Sequence, residues 1–89
     1  MAKLESFAIE GIEMWFYSHD HSPPHFHARR RGQWETRVNF LESSTGGMFT
    51  VVHLKVKQLP RADTKLLEEM VNAHRAELLS EWQRKVCVQ

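Results

Sequence analysis

Four of the six histidines fall between positions 19 and 27, in the run Ser18-His19-Asp20-His21-Ser22-Pro23-Pro24-His25-Phe26-His27. Imidazole titrates near neutrality and is a common ligand for zinc, nickel and iron. In an extended chain His25 and His27 share a face, with their Cα atoms about 7 Å apart. Two rings at that spacing can hold one divalent transition-metal ion. Asp20 and His21, on the loop leading in, can complete a set of three or four nitrogen and oxygen ligands. The spacing matches no standard zinc motif. It contains the H-x-H element of cupin metal sites, but that double-sheet barrel needs more chain than 89 residues supply. A structural role competes with this chemistry. Histidines on a polar strand face are commonly solvated, and loop Asp and His side chains commonly bond backbone groups near consecutive prolines.

The elements that must position these groups are written in the hydrophobic pattern. Over residues 12–17, Ile12, Met14 and Phe16 alternate with Glu13, Trp15 and Tyr17, the period of a strand. Pro23-Pro24 removes two backbone donors and stiffens the loop over 18–24. In a second strand Phe26, Ala28 and Arg30 alternate with His25, His27, Arg29 and Arg31, and Gly32-Gln33 supplies a turn. A third strand over 34–41 sets Trp34, Thr36, Val38 and Phe40 against Glu35, Arg37 and Asn39. After a turn over 43–47, a fourth strand over 48–57 is expected to turn Thr50, Val52, Leu54 and Val56 inward and Val51, His53, Lys55 and Lys57 outward. A helix begins near Pro60, or slightly later with Asp63 as N-cap, and runs to about residue 86, with Leu67, Met70, Val71, His74, Leu78 and Trp82 on one side. The expectation is an α+β fold: a small antiparallel sheet of about four strands over 7–58, packed against one long C-terminal helix over 60–86, in a single domain spanning 1–89.

The outward face of that sheet gathers Trp15, Tyr17, Arg29, Arg31, Arg37, His53, Lys55 and Lys57 beside His25 and His27. Cations next to aromatics are how sheet-based readers hold phosphates and stack bases. Glu13 and Glu35 on the same face oppose phosphate. The same aromatic and arginine side chains suit a small protein partner or a second copy in a homodimer. Twelve Lys and Arg against eleven Asp and Glu give a net charge of +1, so total charge does not argue for nucleic acid. A lone cysteine, Cys87, excludes an intramolecular disulfide and points to a reducing compartment. The sequence has no apolar run long enough to span a bilayer and no secretory leader pattern, so a cytoplasmic protein is expected. No hydroxyl or thiol stands beside an evident base, and no glycine-rich loop precedes the helix, so no nucleophilic catalytic residue is assigned. His74, inside the apolar stripe, reads as a partly buried, hydrogen-bonded histidine on the far side of the sheet from His25 and His27.

Three stretches together, Phe16-Tyr17-Ser18, Asp20-His21-Ser22-Pro23-Pro24-His25-Phe26-His27 and Ala73-His74-Arg75-Ala76-Glu77-Leu78-Leu79 with Trp82, resemble the uncharacterised bacterial domain of unknown function numbered 4160. The resemblance runs from about Ile12 to Trp82, and His19 departs from its usual pattern. It implies a small prokaryotic cytoplasmic protein with no established activity, in an arrangement resembling a two-component module such as toxin and antitoxin. The functional expectation is a binding module for a small protein partner or nucleic acid. The alternative is a metal-dependent hydrolase or nuclease in which His21, His25 and His27 hold a divalent transition metal and Asp20 is a ligand or base.

Overall fold

The computed structural model describes residues 1–56 and 58–86. In chain order it contains β1 (Ala2–Lys3), β2 (Glu13–Phe16), β3 (Phe26–Arg30), β4 (Trp34–Val38), β5 (Phe49–Leu54) and α1 (Arg61–Lys85). Every pairing is antiparallel, and the strands lie in the sheet in the order of the chain. The sheet therefore has five strands, not four, and reaches from residue 2 to residue 54. The extra strand is a two-residue pairing of Ala2 with Phe16 and Lys3 with Trp15, too short to show a period.

Alternation along β2, β3 and β4 follows from burying one face. Met14, Phe16, Phe26, Ala28, Trp34, Thr36 and Val38 turn inward, and Leu67, Val71, Leu78 and Trp82 of α1 close over them. Each fully buried large side chain contributes about 1.5–3 kcal/mol, and Leu4 and Phe7 join the helix in covering the inner face. The other face lacks a second layer among the described residues.

β5 departs from the expected alternation. Val38 pairs with Phe49, Arg37 with Thr50 and Thr36 with Val51, which places Phe49 and Val51 on the inner row and Thr50 on the outer. A bulge then intervenes opposite Glu35 and Thr36, leaving Val52 without a register partner, after which His53 pairs with Glu35 and Leu54 with Trp34. Of Thr50, Val52, Leu54 and Val56, all expected inward, only Leu54 is packed on the core; Val52 and Val56 are exposed. Lys55 is exposed just past the strand, and Lys57 lies outside the described residues.

Two carboxylates fasten the helix at its ends. Asp63 is not the N-cap; Pro60 holds that position without a side-chain bond. Asp63 is buried and turns back to the β3–β4 hairpin. Its Oδ1 accepts from Arg30 Nη2 at 2.8 Å, and its Oδ2 accepts from Arg30 Nε at 3.1 Å and from Trp34 Nε1 at 3.0 Å. At the other end Glu81, 1% exposed, receives the backbone N–H groups of Glu5 and Ser6, the Ser6 hydroxyl and the Lys85 ammonium. Between the two, His74 leaves helical geometry (φ −124, ψ 19). Its Nδ1 donates at 2.9 Å to the carbonyl of Met70, one turn back, at the point where the helix is kinked. The His74 ring packs on Phe7, within the helix-side layer. No helix among the described residues is long and apolar enough to cross a membrane.

Burial raises the Asp63 carboxyl, but the bonds from Arg30 and Trp34 prevail and hold it below its ordinary value. Burial likewise opposes Lys85, Ser6 and the two backbone donors at Glu81, and the bonds again prevail. A carboxyl depressed in the folded state contributes stability that is complete above its unfolded pKa of about 4 and is lost as pH falls through the folded one. Urea unfolding should therefore show stability declining below about pH 4. Asp63→Asn should cost about 1–3 kcal/mol at pH 7 and flatten that decline, as measured by unfolding midpoints from pH 7 downwards.

Candidate metal centre and the outer sheet face

The loop after β2 turns tightly, with Asp20 N–H donating to the Tyr17 carbonyl and Asp20 Oδ2 accepting from Tyr17 N–H at 3.2 Å. That local turn aims the carboxylate at the start of β3. His25 Nδ1 lies 2.8 Å from the Pro23 carbonyl. A carbonyl only accepts, so this nitrogen carries the proton and Nε2 is the ring's free ligand atom. Nε2 faces Asp20 Oδ2 at 3.4 Å. His27 Nε2 reaches the same oxygen at 3.2 Å.

The surroundings are dry. His25 is 2% exposed, its ring between His27 (centroids 5.1 Å) and Trp82 of α1 (5.4 Å). His27 is 7% exposed, stacked on Trp15 at 5.7 Å and met edge-on by Tyr17 at 4.6 Å. Burial lowers the His27 pKa, outweighing the Asp20 carboxylate that draws it up. The ring is thus neutral at pH 7, with Nε2–H donating to Asp20 and Nδ1 buried without a partner.

One ligand atom each from Asp20, His25 and His27 lie within 4.8 Å of one another. Ligands set at about 2.0–2.1 Å around a tetrahedral ion stand about 3.3 Å apart, close to the nitrogen–oxygen separations of 3.4 and 3.2 Å. A metal-bound histidine ordinarily donates its other ring N–H to a carbonyl or carboxylate, as His25 does to Pro23. In a neutral His25 the Nε2 lone pair confronts a carboxylate oxygen, two acceptors with nothing between them. A positive charge between them, whether proton or metal ion, removes that conflict.

Other residues singled out in the sequence are dispersed. His19 and His21 are exposed on the loop, outside the three-residue group. His53 is exposed opposite Glu35, and β4 separates its strand from β3, so it does not reach His25 or His27. Arg29 and Arg31 both bond Glu13, whose carboxyl their hydrogen bonds hold below its ordinary value. Trp15, 4% exposed, lies beneath the Arg29 guanidinium, 5.2 Å from the ring centroid, so of the two aromatics only Tyr17 presents a face to solvent. Arg37 is half-buried between His27 and Thr50 in the register, with no ion pair among the described residues. Trp82, the wall behind His25, was visible in the sequence as part of a helical stripe and of the family resemblance, not as a neighbour of the histidines.

A family model described as "Domain of unknown function (DUF4160)" matches residues 11–83. The chain belongs to this family. The match takes in β2 through most of α1, including Asp20, His25, His27 and Trp82. Among curated proteins and solved structures none matches.

The hydrogen-bond geometry predicts a fixed tautomer: in metal-free protein at neutral pH, His25 carries a proton on Nδ1 and His27 on Nε2. Long-range proton–nitrogen NMR correlations report both assignments directly. A His25 ring bearing its only proton on Nε2 contradicts the geometry.

Proposed function

We propose that this protein is a metal-binding module in which Asp20, His25 and His27 hold one divalent transition-metal ion of the zinc, nickel or iron class. The observation that carries this reading is the convergence of two imidazole Nε2 atoms on one carboxylate oxygen, in a nearly dry setting, with the Nδ1 of His25 already bonded to a carbonyl. The donor set is one carboxylate oxygen and two neutral nitrogens, which suits borderline metals better than calcium or magnesium.

Such an ion ties three parts of the molecule together: the 17–25 loop, the start of β3 and, through the His25 ring, the last turns of α1. With His21 outside the group, three protein ligands leave a coordination position for water or an exchangeable ligand. The module therefore reads as a metal-anchored binding site. A hydrolytic role draws less support, because His74, the histidine of the helix, bonds Met70 on the opposite side of the sheet. Nucleic-acid binding also draws less support, because Glu13 engages both Arg29 and Arg31. The lone cysteine and nitrogen–oxygen donor set are consistent with action in a reducing cytoplasm.

Titration calorimetry with zinc should show one ion per chain, and saturating zinc should raise the melting temperature by mass action. Asp20→Asn, which preserves size, should weaken binding by about tenfold or more, and His25→Gln/His27→Gln should abolish it. Circular dichroism establishes that each variant is folded. Absence of stoichiometric zinc, nickel and iron binding, or affinity unchanged in the folded double variant, overturns the reading.

A further inference from the structure

Buried polar atoms in folded proteins nearly always have a partner, and each exception bears the full desolvation of its group. Among the described residues five such side-chain atoms have none: Trp15 Nε1, His27 Nδ1, Arg29 Nε, Arg37 Nε and Asn39 Oδ1. All five belong to the outer face of β2, β3 and β4 or its immediate continuation. Trp15, His27 and Arg37 form one cross-strand row, each opposite the next in register. Arg29 lies over Trp15. On the helix side of the sheet the buried polar side chains Thr36, Asp63 and Glu81 are all bonded.

Three of these atoms are N–H donors in any state: the Trp15 indole and the two guanidinium nitrogens. His27 Nδ1 is the variable one. Without metal its proton sits on Nε2, bonded to Asp20, and Nδ1 offers a lone pair. With a metal on Nε2, the neutral ring must carry its proton on Nδ1, which becomes a fourth donor in the row. The half-buried Arg37, without a carboxylate among the described residues, supplies uncompensated positive charge beside it.

We propose that the outer face around Trp15, His27, Arg29 and Arg37 binds a tetrahedral oxyanion, a phosphate or sulfate group, and that metal at the Asp20–His25–His27 centre strengthens that binding by turning His27 Nδ1 into a donor. The coupling rests on the metal-binding reading above; the three fixed donors do not. A tetrahedral oxyanion matches the need, since it presents several acceptor oxygens to guanidinium, indole and imidazole N–H groups. Arg29 lies over Trp15 and bonds Glu13, which is itself half exposed, so its guanidinium stands at the solvent edge of the row. The effect is reciprocal: the oxyanion must tighten the metal by the same factor.

The test is a proton–nitrogen NMR titration of the full chain with sodium sulfate against sodium chloride at equal ionic strength, with and without zinc. The Trp15 indole and the Arg29 and Arg37 Nε–H signals should move with sulfate, while the Trp34 indole, already bonded to Asp63, stays in place. Sulfate should bind several-fold more tightly to zinc-loaded protein, and Arg37→Gln should weaken it by about tenfold or more, with exposed Arg84→Gln unchanged. Signals that respond no differently to sulfate and chloride, with zinc demonstrably bound, overturn the oxyanion site and leave the metal reading standing. Sulfate-specific shifts in protein that binds no metal support the oxyanion site and overturn both the coupling and the metal reading. Equal sulfate affinity with and without bound zinc overturns the coupling alone.

Discussion

The closure of this architecture turns on one buried carboxylate, Glu81. It gathers two backbone N–H groups, a hydroxyl and an ammonium, and it joins the last turns of the helix to the segment between β1 and β2. A buried carboxylate is costly unless fully bonded, which makes its satisfaction a condition on the fold. Asp63 imposes the same condition at the other end of the helix, on the hairpin of β3 and β4. With both ends held, the helix lies along the inner face with its kink at His74.

The outer face is organised differently. Its centre is an aromatic and imidazole layer: Tyr17 on His27, His27 on Trp15, His25 against both His27 and Trp82. These contacts are set by the cross-strand row that includes Trp15 and His27 and by the tight turn that brings Asp20 to them. The histidine segment is therefore a structural hub whose rings are fixed in orientation, which is the condition under which imidazole can act as a pre-organised ligand instead of a mobile one.

Much of this was legible before any coordinates. Alternation through residues 12–16, 26–30 and 34–38 betrayed strands because each has one face against the helix, and the stripe through Leu67, Val71, Leu78 and Trp82 betrayed the helix. The density of histidines marked the segment in which Asp20, His25 and His27 converge. What was not legible has physical causes. A two-residue strand carries no period. The bulge in β5 leaves no mark in composition, yet it turned the expected facing of Thr50 and Val52 over. Asp63 looked like a cap because it sits near the helix start, whereas its partners Arg30 and Trp34 are fixed only by tertiary packing. His21 looked equivalent to its neighbours because loop geometry obeys no simple repeat, and nothing local indicates that His25 meets Trp82.

The bonds received by Glu81 from Glu5 and Ser6 join positions 76 and 75 residues apart along the chain. A protein made from its amino end outwards cannot form this closure until almost the final helical turn has emerged. Until then the inner face, with Phe16, Phe26, Trp34 and Val38, lacks the last part of its cover, Trp82 and the Glu81 tie, and loop-closure entropy delays the contact further. The nascent chain thus passes through an interval in which its most apolar surface is open to solvent and to other chains. Truncation within the last turns of α1 therefore removes the closure itself instead of merely shortening a helix.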